Sequence, residues 1–277
     1  MLSGKTTLIA HLGYPTESFK APMIYNPWFD KHGIDAAVVP MGVKPEDYAT
    51  SLKAIFRMSN VRGALVTMPH KVATNALVDE ITPTARIAGA SNAILLRADG
   101  TLLGDQFDGA GFVRGVERKG LALKGRRVLV SGNGGVGSAI AASLAAAGVA
   151  QMALYDGHAA SSESLAARLR AHYPALEIGV GSNDPAGFDL IVNATPLGMK
   201  PGDPLPFDMD RVAASTFVGE VVMKEEMTPL LLAARAKGCA FQLGTDMLFE
   251  MIPAYLEFFG FGTTTPEELR AVAKLSY

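Results

Sequence analysis

The sequence predicts an α/β fold in two parts, and three observations carry that expectation. Short apolar runs alternate with amphipathic stretches over most of the 277 residues, a pattern that calls for helices packed on a parallel sheet. In mid-chain, Val128-Leu129-Val130 leads into Gly132-Asn133-Gly134-Gly135-Val136-Gly137 and a small-residue helix, as in a doubly wound unit. Two more helical patterns, over residues 247–259 and 266–275, close the chain. Together they predict an N-terminal α/β substrate domain over 1–110 and a Rossmann domain over 111–246. The last helices, 247–277, return to the first domain.

The elements follow in order. Strands are expected at 7–12, 35–40 and 63–67, with helices at 21–32 and 48–58. Residues 93–97 and 102–104 flank Asp99-Gly100, which reads as a hairpin turn. After the glycine loop come a strand ending at Asp156 and strands at 177–180, 189–193, 216–222 and 239–243. Helices are expected at 163–173 and 229–237.

The glycine triplet has a specific physical reading. Gly132 permits the tight turn, Gly134 lets backbone N–H groups approach a pyrophosphate, and Gly137 lets the helix pack closely. Asp156 ends the second strand about 20 positions on, where a carboxylate accepts from a ribose 2′-OH. Its repulsion of a 2′-phosphate is about 4 kcal/mol at ~4 Å and an effective dielectric of ~20. On that ground NAD is expected over NADP.

Bulk numbers exclude several classes. A hydrophobic content of 49% with 19% charged residues suits a chain with a substantial core. A net charge of −2 leaves no footprint for nucleic acid or an anionic membrane. The single cysteine, Cys239, excludes an internal disulfide framework and a cysteine metal cluster. No apolar run reaches spanning length, so a cytoplasmic protein without membrane or metal is expected. Ser3-Gly4-Lys5-Thr6-Thr7 resembles the end of a P-loop but lacks its strand and first glycine.

A dinucleotide enzyme acting on an alcohol needs a group that takes the hydroxyl proton. Lys71 follows a strand in Val66-Thr67-Met68-Pro69-His70-Lys71, where a desolvated lysine can serve as general acid and base. Asp108, near the domain boundary, could share a substrate hydroxyl with it. Both are expected to face a cleft between the domains.

These motifs resemble the shikimate/quinate dehydrogenase family. The matching segments are 66–71, Gly89-Ala90-Ser91-Asn92, Gly104-Asp105-Gln106-Phe107-Asp108-Gly109, the glycine loop, Asn193-Ala194-Thr195-Pro196-Leu197-Gly198-Met199 and Thr228-Pro229-Leu230-Leu231. The resemblance implies that Lys71 and Asp108 are the catalytic dyad and that Thr67 and Asn92 hydrogen-bond substrate hydroxyls. It also implies that Asn193, Ala194, Thr195, Pro196, Val221 and Gly244 line the nicotinamide.

The departures lie on the substrate side. The family's Ser-x-Ser pair, which holds a carboxylate, is Phe19 and Ala21 here, with Ser18, Lys20 or Tyr25 as substitutes. Hydrogen bonds to a charged group are worth ~1.5–3 kcal/mol each, so the loss matters. Phe107, Met223 and Met251 likewise stand where the family has threonine, tyrosine and glutamine. The expected activity is NAD-linked oxidation or reduction of a small, cyclic hydroxy acid related to shikimate or quinate. Ordinary shikimate dehydrogenase and a catalytically idle NAD-binding regulator stay open as alternatives, as does a homodimer.

Overall fold

The structure, a computed structural model, describes residues 2–275. Its chain divides into two compact units, Met1–Phe107 with Met251–Tyr277, and Asp108–Glu250.

The first unit holds β1 (Thr7–Gly13), α1 (Pro22–Lys31), β2 (Ala36–Gly42), α2 (Tyr48–Ile55), β3 (Val61–Val66), α3 (Lys71–Thr74), β4 (Glu80–Ile81), α4 (Pro83–Ala88), β5 (Ala93–Leu96) and β6 (Leu102–Asp105). Its sheet runs β2-β1-β3-β5-β6-β4. The expected parallel pairing holds for β1 with β2 and β3. It fails at β5, which is antiparallel to both β3 and β6, so the sheet is mixed. Between β5 and β6 the cause is the Asp99-Gly100 turn: a tight hairpin can join only antiparallel strands, and Gly100 takes φ +86° there. Ala10, Leu12, Tyr48, Leu52, Ala64, Val66 and Ile94 form a core on one face. His11, between Ala10 and Leu12, therefore projects to the other face. At the sheet edge the Asn26 side chain bonds both Val38 N and Val38 O, and Pro40 has no N–H to offer. Such an edge resists pairing with another chain.

The second unit holds α5 (Asp108–Arg118), β7 (Arg127–Ser131), α6 (Gly135–Ala146), β8 (Gln151–Tyr155), α7 (Ala159–His172), β9 (Glu177–Val180), β10 (Leu190–Asn193), β11 (Phe217–Glu220), α8 (Pro229–Ala236) and β12 (Phe241–Gln242). All its strand pairs are parallel, in the order β12-β11-β10-β7-β8-β9. That is the doubly wound arrangement, with its switch point between β7 and β10. The last strand is shorter than the sequence suggested: Cys239 is buried but precedes β12, its Sγ bonded to Ala213 O. Helix α5 was not anticipated, because glycines at 109, 111 and 115 are poor helix formers. Two of them are points of close approach instead, Gly115 against the Gln242 side chain and Gly109 against α6. A Cβ at Gly109 would sit 2.0 Å from Ala139 O on α6.

Two helices follow, α9 (Gly244–Phe258), which crosses the division between the units, and α10 (Pro266–Val272). A Thr-Pro pair opens α4, α8 and α10, with Thr82, Thr228 and Thr265 each accepting from a backbone N–H three residues on. No helix among the described residues is long and apolar enough to cross a membrane.

Candidate active site

In the first unit, three backbone bonds draw the expected substrate residues together. Thr67 N donates to Leu12 O, Val66 N to Asn92 O, and Ser91 N to Lys71 O. Thr67, Lys71 and Asn92 thus gather where β1 and β3 end and antiparallel β5 begins.

Lys71 opens α3 rather than lying in an open loop, and it is buried. The segment before it is fixed by His70, whose Nε2 donates to Val43 O at 2.7 Å. The His70 ring stacks on Tyr48 at 3.9 Å with only 4° between planes. Thr74 Oγ1 donates to His70 O and also bonds the Tyr48 hydroxyl, which burial pushes up to about 12. His70 itself is shifted down by burial, so it holds this geometry as a neutral ring.

Asn92 is buried, and its Oδ1 accepts from Phe107 N at 3.0 Å. That bond fixes the residue just before Asp108. Asn92 Nδ2 has no partner among the described residues. Behind it, Tyr255 donates to Asn92 O, and Phe107 packs on Tyr255 and Phe258 at 4.7 and 5.4 Å between ring centres.

The remaining substrate candidates sit differently. Ser18 is exposed, Lys20 and Met251 are half-buried, and Ala21 is buried. Tyr25 is wholly buried, its hydroxyl unpartnered among the described residues and its pKa raised by burial. Phe19 stacks on His11 with ring centres 4.1 Å apart. Sequence reasoning passed over His11, whose only signal was a lone imidazole in an apolar strand. It is 7% exposed, and its Nδ1 is unpartnered among the described residues. Burial, with Lys71's charge adding to it, pushes its pKa down to about 3.

In the second unit, Asp108 is buried as the first residue of α5. The glycine loop has the form that close approach requires. Gly132 takes φ +91°, and a Cβ there would meet Ala194 at 2.5 Å. A Cβ at Gly137 would lie 1.7 Å from Gly132 O. Gly134, by contrast, faces open space before α6, with Gly135 and Val136 partly exposed beside it. Between them, Asn133 is anchored through Nδ2 to Val130 O and through Oδ1 from Ser162 Oγ. Fixed backbone N–H groups with room in front of them fit a pyrophosphate.

Across the switch point, Asn193 accepts from Thr195 N and Oγ1 and donates to Leu197 O and Glu220 Oε1. Its side chain shapes the 193–197 loop, leaving Ala194, Thr195 and Pro196 as the partly exposed surface. Glu220, fully buried, was not singled out from sequence. Besides Asn193 it accepts from Val221 N, Val222 N and Thr228 Oγ1. Burial raises its pKa against those four donors. Val221 is half-buried, and Gly244 opens α9, where a Cβ would meet Val222 O at 2.4 Å.

Residues 12–94 match the family described as the shikimate dehydrogenase substrate binding domain. The chain is 35% identical over 277 residues to a shikimate dehydrogenase (NADP(+)) of Acidiphilium cryptum, covering 99% of this chain and 98% of that one. It is 34% identical over 251 residues to the enzyme of the same name from Rubrobacter xylanophilus, covering 89% and 88%. Among solved structures, the ligand-free 5-ketofructose reductase of Gluconobacter sp. strain CHM43 superposes with a TM-score of 0.86. Its sequence identity is 27%, with 98% of each chain covered.

These relatives overturn the cofactor expected from Asp156, and they point to NADP rather than NAD. The physical reason is visible at the side chain. Asp156 Oδ2 accepts from Asn133 N at 2.7 Å and Oδ1 from His158 N at 2.8 Å. Each oxygen thus carries one bond that ties the glycine loop to the turn after β8, a structural task that accounts for a carboxylate here whichever dinucleotide binds.

Proposed function

Because the chain belongs to the shikimate dehydrogenase family, we propose that it is an NADP-linked dehydrogenase of a small polyhydroxylated compound related to shikimate, working through Lys71 and Asp108. The observation that carries this reading is the gathering of buried Lys71 with Thr67 and Asn92 around β1, β3 and β5. A protein that only bound a dinucleotide would need none of the three.

NADP supplies hydride acceptance in one direction and hydride donation in the other. Asp108 accepts a hydrogen bond from the reacting hydroxyl and orients it. Lys71 takes the hydroxyl proton as the carbon loses hydride, and it returns that proton to the carbonyl oxygen in reduction. Thr67 and Asn92 Nδ2 bind neighbouring hydroxyls. The N–H groups at Gly134–Val136 hold the pyrophosphate, and the surface of Ala194, Thr195, Pro196, Val221 and Gly244 receives the nicotinamide. Helix α7 begins close after Asp156 without a side-chain cap, and such a helix start favours a phosphate.

A second reading, ordinary shikimate turnover, is favoured by the names of the relatives at 34–35% identity. Steady-state NADP reduction by the wild-type protein, against shikimate, quinate and other hydroxylated ring acids and polyols, tests both. The proposal expects turnover of at least one compound at a kcat/KM of about 10⁴ M⁻¹s⁻¹ or more. Tight NADPH binding with no turnover across the panel would leave a binding protein instead.

A further inference from the structure

In the first unit, the positions that the family's serines occupy hold an aromatic ring and a methyl group, and an imidazole lies beneath the ring. We propose that Phe19 and His11 form an uncharged seat for the substrate, one that takes a hydroxymethyl, hydroxyl or keto group in place of a carboxylate. The proposal rests on the dehydrogenase reading and narrows its substrate class to neutral polyols and their ketones.

Four observations support it. The Phe19 ring lies flat against His11, 4.1 Å away, and its edge abuts the same spot beside Gly13 that Thr67 Cγ2 reaches. Neither Phe19 nor Ala21 can donate to an anion with its side chain. Beneath the Phe19 ring His11 is buried, with Nδ1 unpartnered among the described residues, and it lies within electrostatic reach of Lys71. Asn92 Nδ2 is a second buried polar atom in the same group of loops with no partner among the described residues.

A neutral ring nitrogen can bond a hydroxyl or carbonyl, whereas an anion against an apolar ring would lose hydration without adequate replacement. A carboxylate here would also stabilise Lys71 as an ammonium, which opposes the proton acceptance that alcohol oxidation needs. An uncharged group satisfies the imidazole and leaves Lys71 to the reacting hydroxyl. On this reading His11 is a specificity-determining residue outside the proton-transfer step.

The test compares shikimate with the alcohol that carries CH2OH in place of its carboxylate, each with NADP and the wild-type protein. The neutral compound is expected to show a kcat/KM about 10-fold higher or more. Phe19→Ser/Ala21→Ser should move that ratio toward shikimate by about 10-fold or more. His11→Leu should lower kcat/KM for the neutral compound about 10-fold, and His11→Gln should restore most of it, both with unchanged NADPH binding. The wild-type comparison decides even if a variant does not fold. Equal use of the two, or a preference for shikimate, overturns the proposal and leaves the dehydrogenase reading standing. Failure of both compounds and of a wider panel of acids and polyols to reduce NADP removes that reading, and this proposal with it.

Discussion

The candidate-site loops of the two units treat their polar side chains in opposite ways, although elsewhere in the second unit Gln242 is buried with both amide atoms unpartnered among the described residues. In the second, the loops at the switch point are bonded to themselves: Asn133, Asn193 and Glu220 each use both side-chain polar atoms within the protein. In the first, His11 Nδ1 and Asn92 Nδ2 are buried without partners among the described residues, beside Lys71. Buried polar groups are normally paired, and each unpaired one costs about 1–3 kcal/mol. The loops of one unit are thus fixed by their own side chains, while the other leaves buried side-chain atoms that a bound substrate, as proposed, would complete.

The contrast can be broken most forcefully at the glycine loop. Gly137→Val forces side-chain atoms into Gly132 O and should weaken NADPH binding by about 100-fold or more, measured by fluorescence titration. Retention of binding would mean that the loop is not the pyrophosphate cradle. Next in size is Glu220→Ala, which strips the acceptor from two backbone N–H groups and Thr228. A loss of about 3–5 kcal/mol on urea unfolding is expected, with a raised KM for NADP in whatever remains folded.

His11 sharpens the other side of the comparison. Its folded pKa, about 3, lies below the ordinary 6.5, so the fold favours the neutral ring. That preference costs nothing above pH 6.5 and removes stability as pH falls from 6.5 toward 3. The full effect is up to about 5 kcal/mol. His11→Gln should therefore gain on the wild type steadily through that window in parallel denaturant titrations, and parallel curves would show that His11 does not titrate as a buried ring. Smallest is Tyr48→Phe, which removes one buried hydrogen bond while Thr74 keeps His70 O. It should cost about 1 kcal/mol in unfolding free energy and leave kcat within about twofold.

Much of this was legible in the sequence, for reasons that differ by region. The glycine loop could be read because its conformations demand glycine, as the φ of +91° at Gly132 illustrates. The hairpin at Asp99-Gly100 was legible in its turn, although its consequence, a mixed sheet, was not carried through to β5. Helix α5 was hidden because its glycines, of which Gly109 permits close packing on α6, are poor helix formers. The Thr-Pro start of α4 went unread because six residues are too few to show a period. Asp156 was misread for a related reason. Sequence places a carboxylate at the strand end, but only coordinates reveal that two backbone N–H groups already hold it. His11 and Glu220 were missed because each is a lone titratable residue in an apolar strand, with no motif around it.

The central claim is that Lys71 moves the proton while the second unit holds the cofactor, and one paired measurement on Lys71→Ala addresses it. Turnover and NADPH affinity are recorded on the same preparation beside the wild type. The account predicts that kcat falls by about 10²–10⁴ while the Kd for NADPH stays within about twofold. Undiminished turnover, or a loss confined to NADPH affinity, would contradict it.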